Sequence, residues 1–228
     1  MCYDYHGKWD KYTGHNAPLQ ARPQDNPLDQ IFTLAYTFAY MKEMGAIFKK
    51  TVMGVPFYGR SYRLLTPSKN ALGAPTKEES FQGPYTREDG FLGYNEVCEE
   101  QMDKDHPWTY KWEENIKAPY MFRGDRWVSF DDEKSLRLKA NFAFDEGLAG
   151  VMVWSIDTDD FNGVCGTKYP LLRSLNRALF RRELGVSDDD DDRDSGAVIG
   201  GGGCGWLLIL LGAAWLRQIM MTMYYLYI

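Results

Sequence analysis

Histidine is scarce in this 228-residue chain, and His6, His15 and His106 share no metal-ligand spacing, so the sequence carries no histidine metal site. Asp157, Asp159 and Asp160 lack the Gly and closing Glu of an EF-hand loop, and no metal or other cofactor is expected. There is no Asn-x-Ser/Thr glycosylation site. Excess charge is also small outside one segment. The formal net charge is −6, but residues 188–194 hold six Asp and one Arg, which leaves only −1 on the remainder. That near-neutral surface argues against nucleic acid as a partner. No long uncharged run occurs until residues 197–216, and no leader precedes the first apolar segment, so the sequence reads as a fold entered partway through.

What is present is aromatic residues, at 15%, gathered near the ends of three apolar segments. Met1-Cys2-Tyr3-Asp4 runs into Tyr5-His6-Gly7 and Trp9 and is expected to be a buried strand. Val52-Met53-Gly54-Val55-Pro56-Phe57 leads to Tyr58 and Arg60, and Gly150-Val151-Met152-Val153 to Trp154 and Asp157. Apolar strands that deliver acids and aromatics at their ends are typical of a parallel sheet with a ligand rim. Between the first two segments, an Asn26 cap, Pro27, the spacing of Ile31, Leu34, Phe38 and Met41, and the stop at Gly45 predict one helix. Asp131 or Asp132 begins another, with Leu136, Ala140 and Ala143 on one side and Gly147 past its end. Alternating strand and helix imply parallel βα units. The intervening stretch is broken by Pro67, Pro75 and Pro84, holds a helical candidate from Tyr94 to Lys104, and closes in a hairpin from Tyr120 to Val128. A last helix is expected from Pro170 to about Glu183.

Three motifs in order, Met1-Cys2-Tyr3-Asp4-Tyr5-His6-Gly7 with Thr13-Gly14-His15-Asn16-Ala17-Pro18-Leu19, then Tyr58-Gly59-Arg60-Ser61, then Met152-Val153-Trp154 with Asp157, Asp159, Asp160 and Phe161, closely resemble the C-terminal part of the glycoside hydrolase family 18 chitinases and chitinase-like proteins. The resemblance covers roughly residues 1–184. It implies an α/β fold, the C-terminal portion (strands six to eight) of a TIM (β/α)8 barrel with an α+β insertion, and a site at the strand ends. The expected organisation is strands six and seven with their helix in 1–60, the insertion in 61–127, strand eight and flanking helices in 128–184, an acidic linker in 185–196 and an apolar tail in 197–228. Three strands cannot close a barrel, so the chain is expected to be a fragment or a shortened product.

The resemblance implies roles as well. Tyr3 would donate to a substrate N-acetyl oxygen, and Asp4 would hold a sugar hydroxyl and Arg60. Trp154 would floor the cleft with Met1 and Met152 beside it, Trp9 would stack on a sugar on the leaving side, and Tyr58 and Glu88 would line the same cleft. The implied ligands are chitin or N-acetylglucosamine oligomers. The family's acidic run, D-x-x-D-x-D-x-E, supplies the acid of a substrate-assisted mechanism. The one near-match here, Asp189-x-x-Asp192-x-Asp194-x-Gly196, fails at the Glu and lies in a segment with no strand character. The readings are therefore a chitin-hydrolysing family member without its acid strand and, as the alternative, a non-catalytic chitinase-like lectin or growth-factor-type protein. Cys98 and Cys165 match positions bridged in the family, a link worth about 4 kcal/mol on the chain-entropy model and one that implies an extracellular compartment. Residues 197–216 are just long enough to cross a bilayer, with Arg217 favouring a cytoplasmic C-terminus, although five glycines among residues 200–205 weaken that reading against an atypical extension.

Overall fold

The computed structural model describes residues 1–184, and the acidic run and apolar tail lie outside them. Strands β1 (Val52–Pro56) and β7 (Gly150–Trp154) pair in parallel, with Val52 opposite Gly150 and Pro56 opposite Trp154, so both deliver their following residues to the same end. Helix α4 (Glu133–Asp145) precedes β7, and α5 (Pro170–Glu183) packs against α4. Cys2, Phe38, Met53, Val55, Leu136, Ala140, Leu171 and Leu175 form one apolar core between these elements. Among the described residues no helix is long and apolar enough to cross a membrane.

Two expectations are corrected. Met1 to Asp4 is not a strand: its link to β1 is a single backbone bond, Cys2 N–H to the Gly54 carbonyl at 3.0 Å, and Asp4 turns out of extended geometry at φ 63°. Cys2 is buried there, but Met1 is 83% exposed. The single helix expected between Asn26 and Gly45 is two, α1 (Pro27–Ile31) and α2 (Leu34–Glu43). Asn26 caps the first as expected, accepting the N–H groups of Leu28 and Asp29. Thr33, however, stands extended and its hydroxyl accepts the Tyr36 N–H, which begins a new helix where helical spacing alone runs on.

After Phe57 the chain leaves the parallel pair for a five-stranded antiparallel sheet, in the order β3 (Phe91–Gly93), β2 (Tyr58–Arg63), β6 (Arg126–Ser129), β5 (Ala118–Arg123), β4 (Thr109–Glu113). The expected hairpin is β5–β6, with Arg123 opposite Arg126 across Gly124-Asp125, and Gly124 takes φ 58°. Alternation sends Tyr62, Tyr120 and Trp127 into one core and Leu92, Met121 and Val128 into another. The expected helix in this region is α3 (Tyr94–Met102). Its Cys98 is joined to Cys165, in the loop after β7, at a Cα separation of 6.1 Å. Lys139 of α4 and Asp131, just after β6, form an ion pair at 2.5 Å with neither side chain exposed. Burial lowers the Lys139 pKa against the opposing pull of Asp131.

Candidate functional site

Asp4 is the centre of the polar cluster at the strand ends. Its Oδ1 accepts from the Tyr58 hydroxyl at 2.7 Å and from Arg60 Nε and Nη2 at 2.8 and 2.6 Å. All three donors converge on that one oxygen, so Oδ2 is not engaged by them. Burial, then the bond to Asp4, pushes the Tyr58 phenol far above its ordinary value, and it stays a donor at any working pH. The Arg60 guanidinium lies over three rings, 5.1 Å from Trp9, 5.3 Å from Tyr58 and 5.5 Å from Phe91. Phe91 also stacks on Tyr58 with centroids 4.5 Å apart.

Beside this cluster the Tyr3 hydroxyl is buried and has no hydrogen-bond partner among the described residues. Burial first, and the Asp4 carboxylate second, push its pKa up. A neutral phenol in that position is a donor without an acceptor, which a fold tolerates only at a cost. Gly54 explains how Tyr3 gets there. A Cβ on it would lie 3.0 Å from both Met1 Cα and Met152 Cε and 3.3 Å from Tyr3 Cε1, so Met1, Met152 and Tyr3 converge over a bare backbone position of β1.

Trp154 ends β7 with 54% of its surface exposed, and Trp9 is 56% exposed. The Trp9 ring lies against Gly7, where a Cβ would come within 2.3 Å of it. Two large apolar rings are thus held partly exposed at the surface, Trp9 with the Arg60 guanidinium over its ring. Glu88 is exposed in the loop before β3, and no hydrogen bond or ion pair joins its side chain to the Asp4 cluster among the described residues. A cavity of about 470 Å³ lined by Tyr85, Asn95, Glu99, Asp157 and Phe161 lies elsewhere, and none of Tyr3, Asp4, Arg60 or Trp154 lines it.

The acids after β7 divide by burial. Asp159 accepts the N–H groups of Asp160, Leu171 and Leu172, and Asp160 those of Gly163, Val164 and Cys165, so both serve backbone donors, Asp159 those at the start of α5. Sequence reasoning assigned no role to Phe91, Gly54 or Asn16. The motif around Asn16 was the available signal, whereas Phe91 and Gly54 act by shape and carry no chemical mark.

The profile of glycosyl hydrolases family 18 matches residues 1–159. The chain belongs to this family. It is 39% identical over 206 residues to probable chitinase 2 of Drosophila melanogaster, covering 78% of this chain and 41% of that one. It is 42% identical to the oviduct-specific glycoprotein of Sus scrofa over 188 residues, 81% of this chain and 34% of that one. Among solved structures, the Ostrinia furnacalis Group IV chitinase in complex with allosamidin superposes with a TM-score of 0.76 at 39% identity, covering 82% of this chain and 50% of that chain. Human YKL-39, described as a pseudo-chitinase with retained chitooligosaccharide binding properties, superposes at 0.74 with 36% identity, covering 79% and 49%. The chain therefore spans half or less of the length of these relatives. Its fold is the C-terminal part of the family 18 TIM barrel, with β1 and β7 as consecutive barrel strands joined by α4 and the antiparallel sheet inserted between them.

Proposed function

We propose that residues 1–184 form the sugar-gripping side of a cleft for chitin or N-acetylglucosamine oligomers, and that the protein's activity is endo-hydrolysis of that polymer with retention. The observation that carries this reading is the buried, acceptor-less Tyr3 hydroxyl beside an Asp4 carboxylate with one oxygen saturated and the other open. Tyr3 donates to the N-acetyl oxygen as that oxygen attacks the anomeric carbon, and Asp4 Oδ2 takes a sugar hydroxyl while Arg60 fixes its orientation. Trp154 supplies an apolar floor with Met1 and Met152, and Trp9 receives a ring on the leaving side. Tyr58 holds Asp4, and Glu88 lines the outer cleft. The Cys98–Cys165 bond supports an extracellular setting.

Nothing in the chain matches the family's acid, since Asp189-x-x-Asp192-x-Asp194-x-Gly196 ends in glycine. The 228-residue chain is therefore expected to bind without turnover. The similarity to YKL-39 favours a second reading, a chitinase-like binder that does not cut. The two part at the last position of the acidic run, where Glu carries hydrolysis and any other residue leaves binding alone. A fluorogenic chitooligosaccharide assay on the chain tests the statement that it holds no such acid. No release is expected, and release abolished by Asp4→Ala would overturn it by revealing an acid within these residues.

A further inference from the structure

Asp4 is held in an unusual backbone state. It is one of four non-glycine residues at positive φ among the described residues, at 63°, in the left-handed region that is uncommon for non-glycine residues and that Asp enters more readily than most. Both N–H groups at this turn go to one partner. The Asp4 N–H donates to Asn16 Oδ1 at 2.9 Å, and the Tyr5 N–H donates to the Asn16 carbonyl at 3.0 Å.

Asn16 is fully buried, and its remaining polar groups reach the other two segments of the site. Its Nδ2 donates to the Tyr58 carbonyl at 3.2 Å, and its own N–H donates to Ser129 Oγ at 3.1 Å. The amide orientation is fixed by these neighbours, because an N–H faces one end and a carbonyl the other. One residue thus ties the turn that carries Asp4 to the start of β2, which carries Tyr58 and Arg60, and to the end of β6. No other side chain bonds to both the Asp4 and the Tyr58 backbone among the described residues.

We propose that Asn16 is the positioning residue of the Asp4–Arg60 pair: it locks the left-handed turn at Asp4 and fixes it against Tyr58, so that Oδ1 meets all three donors and Oδ2 faces the cleft. Asn16 never touches ligand in this role. The sugar-binding consequence rests on the function proposed above, but the positioning itself does not.

The test reads the pair directly, in the 228-residue chain. The Arg60 Nε–H, bonded to Asp4 at 2.8 Å, gives an NMR signal whose exchange with water reports the contact. Asn16→Ala is expected to speed that exchange at least tenfold, whereas Ser129→Ala, which removes only the neighbouring hydroxyl, leaves it within twofold. If Asn16→Ala does not fold, Asn16→Asp decides. Its carboxyl, once protonated, can accept from Asp4 N–H and donate to the Tyr58 carbonyl, so protection relative to the parent at equal pH should recover as pH falls. Unchanged Arg60 exchange in Asn16→Ala, or a folded Asn16→Asp that stays unprotected at every pH, would overturn the proposal.

A second readout separates positioning from a general loss of structure. Asn16→Ala should weaken binding of an N-acetylglucosamine tetramer at least tenfold in the parent, and by less than twofold when Asp4 is already Ala. An equal loss in both backgrounds would make Asn16 merely structural and refute the proposal. A parent that binds no oligomer while Arg60 exchange responds as expected would defeat the functional reading and leave the positioning role standing.

Discussion

His15 accepts the Ala17 N–H at Nδ1 and presents Nε2 to the carbonyls of Phe130 and Pro119 at 3.0 and 3.2 Å, a pattern only the neutral Nε2–H tautomer satisfies. Burial, with Lys139 adding to it, lowers its pKa from 6.5 to about 3. The unfolded chain therefore takes up a proton that the folded chain refuses across that window. Stability from this residue is complete above pH 6.5 and is lost as pH falls toward 3, by up to about 1.4 kcal/mol per pH unit. The His15 ring resonances should not titrate between pH 7.5 and 4.5, and a midpoint near 6.5 would show that the ring is not held as described. At Gly54 the issue is space. Gly54→Ala would press on Met1, Met152 and Tyr3 together, and is expected to weaken oligosaccharide binding about tenfold while leaving circular dichroism unchanged. Binding at parental affinity would mean that these three side chains do not act as one surface.

Among the elements, the disulfide is the one covalent tie between α3 and the loop after β7 in the described residues, and it spans 67 positions. On the chain-entropy model its removal by Cys98→Ala/Cys165→Ala costs about 4 kcal/mol, readable as a fall in urea midpoint. A midpoint equal to the parent's would deny it that role. Helix α5 depends on Asp159 in a comparable way, and Asp159→Ala should destabilise the chain by about 1–2 kcal/mol through the stranded N–H groups of Leu171 and Leu172. These elements show what the sequence could and could not reveal. Strands β1 and β7, α4 and the β5–β6 hairpin were legible because apolar period, caps and turn residues agree there. The break at Thr33 was not, because a threonine that caps looks identical in sequence to one that continues a helix. The strand expected at Met1 to Asp4 failed for a different reason, since strand character depends on neighbours as well as on composition, and only one ladder bond reaches it.

For the whole molecule, the parallel sheet has two strands among the described residues, and the polar and aromatic groups collect at the end where both strands finish. Asp4, Arg60, Trp9 and Tyr58 each stand in a recognisable motif, and the structure brings these four into one cluster. Asn16 and Phe91 were given no role because the Asn16 side chain serves backbone groups of distant residues and Phe91 offers a ring face, contacts that only the fold brings together. The central claim, that residues 1–184 grip the N-acetyl group, rests on the Tyr3 hydroxyl. Removing that hydroxyl alone separates grip from fold, because a buried donor without an acceptor adds nothing to stability. The decisive measurement is calorimetric titration of an N-acetylglucosamine tetramer into the parent chain and into Tyr3→Phe, with thermal melts of both. Affinity should fall about tenfold while the melting temperature holds or rises; equal affinity in the two proteins would contradict the account.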